Sequence, residues 1–219
     1  MQLPHAVLWD MDGTLCDTEP YWMETEHALA ERFGGEWTQE DALQLVGNDL
    51  LTSGEYIRNR WSLDLSARQV VDLLHEGVVD RVLSGATMPW RPGAVDLLAA
   101  LNDAGVPCGL VTMSWDVFAL PIVEKLPRGR FDVIVTGDNV DNGKPHPEPY
   151  LKAARLLGVD PADCIAIEDS NTGATSAEEA GCTVVTVENH VPLAPGARRV
   201  ARSTLVGVTP EDLGTLLVR

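Results

Sequence analysis

With 219 residues and 45% hydrophobic content, the chain can fill the core of one α/β domain carrying an insertion, or of two small domains. Its formal net charge of −17 sets same-sign repulsion against nucleic acid and against an anionic membrane surface, so neither is an expected partner. The four cysteines (Cys16, Cys108, Cys164, Cys182) are scattered, and no apolar run approaches the ~20 residues of a membrane span.

The first element organises the rest of the chain. Ala6-Val7-Leu8-Trp9 is a continuous apolar run, the pattern of a strand buried on both faces of a parallel sheet. It delivers Asp10 and Asp12 to its carboxyl end, where open α/β sheets form their ligand crevices. Two carboxylates so placed repel each other unless a cation or a shared proton intervenes. A strand running into an ordinary Asp-Gly turn is the alternative. This early strand leaves no room for a signal peptide, and unpaired cysteines suit a reducing compartment, so a cytoplasmic protein is expected.

The pattern then turns helical. Pro20 suits a first helical position for Tyr21 to Phe33, stopped by Gly34-Gly35. Thr38 caps a segment with Glu40 and Asp41 in its first turn, followed by Leu43, Leu45 and Val46 and ended by Gly47. A third stretch covers Asp49 to Trp61. Ser66-Ala-Arg-Gln69 is a capping box for a helix bearing Val70, Val71, Leu74, Val78 and Val82. No strand pattern falls between Glu19 and Met88. The expected division is an α/β core of residues 1–17 and 89–219 with a helical unit of residues 18–88 inserted after the first strand. Rooted beside that strand's carboxyl end, the insertion is positioned to cover whatever binds there.

From Pro89 strands and helices alternate. A helix follows Pro92-Gly93 and stops at Gly105; Cys108 to Val111 is a strand; Trp115 to Leu126 is helical with Pro121 interrupting it. Val133 to Val135 is a strand, Gly137 to Pro149 a polar loop, Tyr150 to Leu157 a helix closed by Gly158. Cys164 to Ile167 runs as a strand into Glu168-Asp169. Ala174 to Ala180 is a helix and Val184 to Val187 a strand. Leu205-Val206 reads as a final edge strand, before a helix capped by Thr209. Such alternation predicts a doubly wound parallel sheet.

In a parallel sheet the residues after each strand share one rim. That rim collects Asp10, Asp12, Glu168 and Asp169, the hydroxyls and helix-start N–H groups of Thr112-Met113-Ser114, and Lys144 from the Gly143-Lys144-Pro145 loop. All-oxygen, carboxylate-rich sites favour Mg²⁺ over zinc. A helix start and a lysine favour a phosphate group. A carboxylate can also attack phosphorus to give an acyl phosphate.

The motifs Asp10-Met-Asp12-Gly13-Thr, Thr112-Met-Ser114, Gly143-Lys144-Pro-x-Pro and Glu168-Asp169-Ser-x-x-Gly173, in this order, resemble those of haloacid dehalogenase-like hydrolases of the beta-phosphoglucomutase and phosphatase branch. The resemblance spans nearly the whole chain and implies a Rossmann-like α/β core with a C1-type helical cap domain. It implies Asp10 as nucleophile and Mg²⁺ ligand, and Asp12 as general acid and base lending its carbonyl to the metal. It implies phosphate contacts from Gly13, Thr112, Met113, Ser114 and Lys144, and metal binding by Asp169, with Glu168 either a further ligand or a polar strand end. The implied partner is a small phosphorylated metabolite, a sugar or polyol monophosphate, acted on by a monomer.

Three alternatives bear on this reading. Asp12 argues against the dehalogenase branch, which lacks an acid there. A phosphosugar mutase would carry an arginine soon after the glycine matching Gly47 and a lysine in the cap; here Asn48-Asp49-Leu50 follows and the cap has no lysine. A receiver-type regulatory domain shares the acidic Mg²⁺ pocket but not the insertion. Cys16, Trp9 and Trp115 read as packing residues, Thr14 as a turn residue, Asp17 and Glu19 as structural, and the histidines (His5, His27, His75, His146, His190) show no ligand spacing.

Overall fold

The structure, a computed structural model, describes residues 3–45, 49–84, 88–189 and 191–218. Val46 and Gly47, expected to end the second helix, and Asn48, compared above with a mutase arginine, lie outside the described residues.

Among the described residues six parallel strands form one sheet: β1 (Ala6–Trp9), β2 (Cys108–Val111), β3 (Val133–Val135), β4 (Cys164–Glu168), β5 (Thr183–Val187) and β6 (Arg199–Arg202). Their order is β3-β2-β1-β4-β5-β6. Leu8 of β1 sits in register with Gly109 on one side and Ala166 on the other. The chain turns to opposite sides at β1, and the crevice at such a switch point is where doubly wound sheets place their ligands. Every residue of β1, β2, β4 and β5 is buried, which is why β1, β2 and the first four residues of β4 read as apolar runs rather than as alternation.

Between β1 and β2 lie α1 (Glu19–Phe33), α2 (Gln39–Leu43), α3 (Leu50–Arg60), α4 (Ala67–Leu83) and α5 (Ala94–Asp103). The capping box read at Ser66 forms with Gln69, and the N-cap read at Thr38 proves to be a capping box too, with Asp41 answering. The chain leaves and re-enters the sheet side by side: the Asp17 amide donates to the Pro89 carbonyl at 2.9 Å and the Arg91 amide to the Leu15 carbonyl at 2.9 Å. Helices α1 to α4 bury a cluster of their own, including Leu29, Trp37, Ile57, Val70 and Leu74. Val78 and Val82 of α4 belong instead to the cluster beneath the sheet, with Phe118 and Ile122 of α6 (Asp116–Glu124). The helical layer is therefore packed on the core along α4 and α6. Pro121 is accommodated within α6.

The remaining helices are α7 (Glu148–Leu157), α8 (Asn171–Glu179) and α9 (Pro210–Thr215). One expected element is wrong. Leu205-Val206 is not the edge strand; Arg199–Arg202 is, paired to β5 in parallel. Its apolar signal is weak because the edge faces solvent and carries charge, Arg199 donating to Glu178 Oε2 at 2.8 Å. Leu205 is buried for a different reason. The chain at Leu205 and Val206 passes so close to Gly93 (φ +84°) that a Cβ there would lie 2.4 Å from backbone atoms of both.

Candidate active site

The loop leaving β1 folds back on itself, with the amides of Leu15 and Cys16 donating to the Met11 carbonyl at 2.9 and 3.1 Å. This turn holds Asp10 and Asp12 on the rim. Asp10 is buried, and its Oδ1 accepts from Lys144 Nζ at 2.6 Å. Its Oδ2 is buried with no hydrogen-bond partner among the described residues. Burial pushes the Asp10 carboxyl up to about 7 against the pull of Lys144. Asp12 sits among hydroxyls instead. Thr18 donates to its Oδ1, and Ser114 Oγ and Thr112 Oγ1 donate to its Oδ2 at 2.7 and 3.4 Å. Burial raises its pKa in spite of those donors.

Lys144 is buried, not an exposed loop lysine. Its ammonium also donates to Glu168 Oε1 at 2.6 Å. Burial favours the neutral amine, but Asp10 and Glu168 more than offset this and the net shift is upward. Glu168 is fully buried; its Oε1 also accepts from the Tyr150 hydroxyl at 2.7 Å, and its Oε2 from the Ser170 hydroxyl at 3.1 Å. Asp169 accepts from Thr14 Oγ1 at 3.3 Å, and burial, followed by the charges of Asp10 and Glu168, pushes it up to about 9.

Oxygens of Asp10, Glu168 and Asp169 lie within 4.8 Å of one another. Three carboxyls face one ammonium, so ionising all of them leaves two uncompensated negative charges in a buried site. A divalent cation on oxygen ligands would relieve it, and the unpartnered Asp10 Oδ2 is a ready ligand atom. The residues present fit Mg²⁺. Glu168 is the least available of the three because donors already occupy both its oxygens.

Two glycines are explained by close approach. A Cβ at Gly13 (φ +88°) would lie 2.0 Å from Asp169 Oδ2, and one at Gly173 would lie 1.8 Å from Glu168 Oε1. The Gly13 amide donates to the Cys16 carbonyl at 2.8 Å, and its missing Cβ gives Asp169 the clearance it needs. The Ser114 amide is likewise engaged, donating to Thr112 Oγ1 at 3.0 Å.

Sequence reasoning missed three contributors. Thr18 stands at the N-cap position of α1 but makes no capping bond, leaving its hydroxyl for Asp12. Thr14 reaches Asp169 rather than only closing a turn. Tyr150 was readable as apolar, yet a buried phenol needs a partner, and that requirement was the available signal for a buried acceptor such as Glu168.

A cavity above this cluster is lined from below by Asp10, Asp12, Thr112, Met113, Ser114, Lys144 and Asp169. From above it is closed by side chains of α1 to α4, among them Trp22, Glu26, Ser53 and Leu74.

The family model described as haloacid dehalogenase-like hydrolase matches residues 7–187. Hexitol phosphatase B of Escherichia coli K12 is 30% identical, the match covering 98% of this chain and 95% of that protein. The phosphorylated carbohydrates phosphatase of Thermotoga maritima is also 30% identical, with 97% of each chain covered. In fold, a crystal structure of beta-phosphoglucomutase from Clostridium difficile superposes with a TM-score of 0.82 at 22% identity, covering 98% of this chain and 97% of the other.

Proposed function

The chain belongs to the haloacid dehalogenase-like hydrolases, and from that premise we propose that it is a Mg²⁺-dependent phosphatase of a small sugar or polyol monophosphate, working through an aspartyl phosphate. The observation that carries the proposal is the contrast between its two rim aspartates. Burial raises both carboxyls, but Asp10 is paired with the buried Lys144 ammonium, which favours its ionised form, whereas Asp12 is held only by the neutral hydroxyls of Thr18, Thr112 and Ser114, weaker opposition to protonation than a cation.

In this reading a carboxylate oxygen of Asp10 attacks phosphorus and the bond to the leaving oxygen breaks. Asp12 gives that oxygen its proton. Water then attacks the phosphorus of the acyl phosphate; Asp12 takes a proton from it, and phosphate departs with Asp10 restored. Lys144 neutralises charge on the phosphoryl oxygens while holding Asp10 in line, and Glu168 with Tyr150 anchors Lys144. Thr112, Met113 and Ser114 frame the phosphoryl site. Mg²⁺, held by Asp10, Asp169 and the Asp12 carbonyl, would supply electrostatic stabilisation of the transferring group when bound. Residues 18–88 act as a cap that shields the site from water and meets the leaving group. Phosphoryl transfer needs mainly positioning and charge neutralisation, and these residues supply both.

The relatives named above act on hexitol phosphates and on phosphorylated carbohydrates by their names, which supports the substrate class. The buried free thiols of Cys16, Cys108, Cys164 and Cys182 support a reducing compartment such as the cytoplasm. The test is turnover of p-nitrophenyl phosphate with Mg²⁺ present. Multiple turnovers per protein, abolished by EDTA and by Asp10→Asn, are expected. A single stoichiometric burst would point to a receiver-type domain, and a rate surviving Asp10→Asn would overturn the mechanism.

A further inference from the structure

The cavity has two chemically different ends. Its floor holds the carboxylates and Lys144 described above. Its roof is largely apolar, with Trp22, Leu45, Leu50 and Leu74, interrupted by the carboxyls of Glu19 and Glu26 and the hydroxyl of Ser53. Glu26 is the unusual member. It is buried within α1, 5% exposed, and its Oε2 accepts from Trp37 Nε1 at 2.9 Å. Among the described residues, no lysine or arginine of the helical layer lines the cavity; Arg58, Arg60, Arg68 and Arg81 pair with Glu55, Asp41, Asp72 and Glu24 outside it.

A buried carboxyl without a cation is costly, and holding Trp37 does not require one, because a glutamine amide oxygen would accept the same indole hydrogen. What a carboxyl adds is a strong acceptor. With one oxygen fixed by Trp37, the group is oriented at the cavity wall and its other oxygen can take a ligand hydroxyl. Resting on the phosphatase reading, we propose that Glu26 is the specificity-determining residue of the cap, accepting a hydroxyl hydrogen bond from the end of a neutral polyhydroxy monophosphate remote from its phosphate. The geometry along α1 suits this. Thr18, which touches Asp12, precedes Glu26 by eight residues of the same helix start and body, roughly 12 Å at the helical rise. A small extended polyol phosphate spans such a distance. Burial pushes the Glu26 carboxyl up to about 7, so above that pH it also repels a second anionic group, and selectivity arises from one attractive and one repulsive element.

The test compares hexitol monophosphate with hexyl phosphate, which has a similar chain and no hydroxyls. For the wild type, assayed at pH 8 where the Glu26 carboxyl is ionised, we expect kcat/KM to favour the hexitol ester by ~10-fold or more, the size of a hydroxyl bonded to a charged acceptor. In Glu26→Gln, which keeps an acceptor for Trp37, that preference should fall by about 10-fold, mainly through KM. A second variant, Glu26→Asp, retains the charge but withdraws it by a methylene and should give an intermediate preference. A cooperative unfolding transition in both variants establishes that they fold. An unchanged preference in Glu26→Gln overturns the assignment. A wild type that hydrolyses both esters equally overturns it together with the substrate class. Absence of p-nitrophenyl phosphate turnover in the wild type would instead overturn the phosphatase reading beneath both.

Discussion

Lys144 Nζ donates at 2.6 Å to Glu168 Oε1, a carboxylate with no exposure at all. The pair joins a loop after β3 to the end of β4, and Tyr150 from α7 completes it. Removing one partner of a buried pair leaves the other uncompensated, at about 3–5 kcal/mol. Lys144→Met should therefore lower both stability and kcat, the latter by roughly 100-fold or more if the ammonium neutralises charge in the transition state. Tyr150→Phe removes only one neutral donor to Glu168 and should cost about 1–2 kcal/mol of stability with kcat within roughly 10-fold of wild type. Denaturant titration and steady-state kinetics on the two variants check the ordering; equal effects would mean Lys144 acts only structurally.

A second prediction concerns Gly173. Its missing Cβ leaves space that Glu168 Oε1 fills, at 1.8 Å from where a Cβ would stand. Gly173→Ala must displace the carboxylate that anchors Lys144, and should cost about 1–3 kcal/mol while also lowering kcat. Gly158 ends α7 at φ +71°, and none of the described residues comes within 4 Å of where its Cβ would stand. Gly158→Ala should therefore cost about 1 kcal/mol of backbone strain and leave kcat alone. Full activity in Gly173→Ala would mean that Glu168 does not depend on this clearance.

These two positions mark how far the sequence could be read. The strands buried on both faces announced themselves as apolar runs, and Thr38, Ser66 and Thr209 announced helix starts because capping is a local interaction. Asp10, Asp12, Lys144 and Asp169 were legible because they follow strands, and a parallel sheet sends every such residue to one rim. What stayed hidden depends on contacts distant in sequence. Tyr150 meets Glu168, Thr14 meets Asp169, and Thr18 meets Asp12 through side-chain geometry that no periodicity encodes. The edge strand at Arg199–Arg202 was missed because solvent exposure removes the apolar pattern on which strand reading relies.

His75 gives a pH prediction. It is buried on α4, with ring centroids 6.0 Å from Trp22 and 5.1 Å from Trp115, and its Nε2 has no partner among the described residues. Burial pulls its pKa from 6.5 down to about 4, outweighing Asp72, with Arg68 pulling the same way and Asp138 opposing. The unfolded chain therefore binds a proton between pH 6.5 and 4 that the folded chain refuses, so stability falls as pH drops through that window. The contribution is on the order of 2–3 kcal/mol by pH 4.5. His75→Phe, apolar between the same rings, should flatten the fall by that amount in urea titrations at pH 7 and 4.5. Parallel pH slopes for variant and wild type would place the acid sensitivity elsewhere.

The last prediction follows from where the cations are. Residues 18–88 contain no lysine, and their arginines are committed: Arg58 to Glu55 at 2.6 Å, and Arg60, Arg68 and Arg81 to Asp41, Asp72 and Glu24 at 3.0 Å each, while Arg32 lies over the Phe33 ring. Arg91, the nearest basic residue of the returning chain, donates to the Glu188 carbonyl and lines a different, smaller pocket. Among the described residues Lys144 is thus the cation that lines the cavity, and it serves the phosphoryl end. A second phosphate group would enter a roof offering Glu19 and Glu26 rather than a guanidinium fork. A mutase that must hold a bisphosphate intermediate needs such a fork, so hydrolysis should dominate over any transfer between sugar hydroxyls. Comparing kcat/KM for a hexose monophosphate and its bisphosphate decides the matter. The monophosphate should be the better substrate. A preference for the bisphosphate above ~10-fold, about 1.4 kcal/mol of transition-state binding, would mean that closure of the helical layer brings one of the committed arginines, Arg58 or Arg60 first, into the cavity.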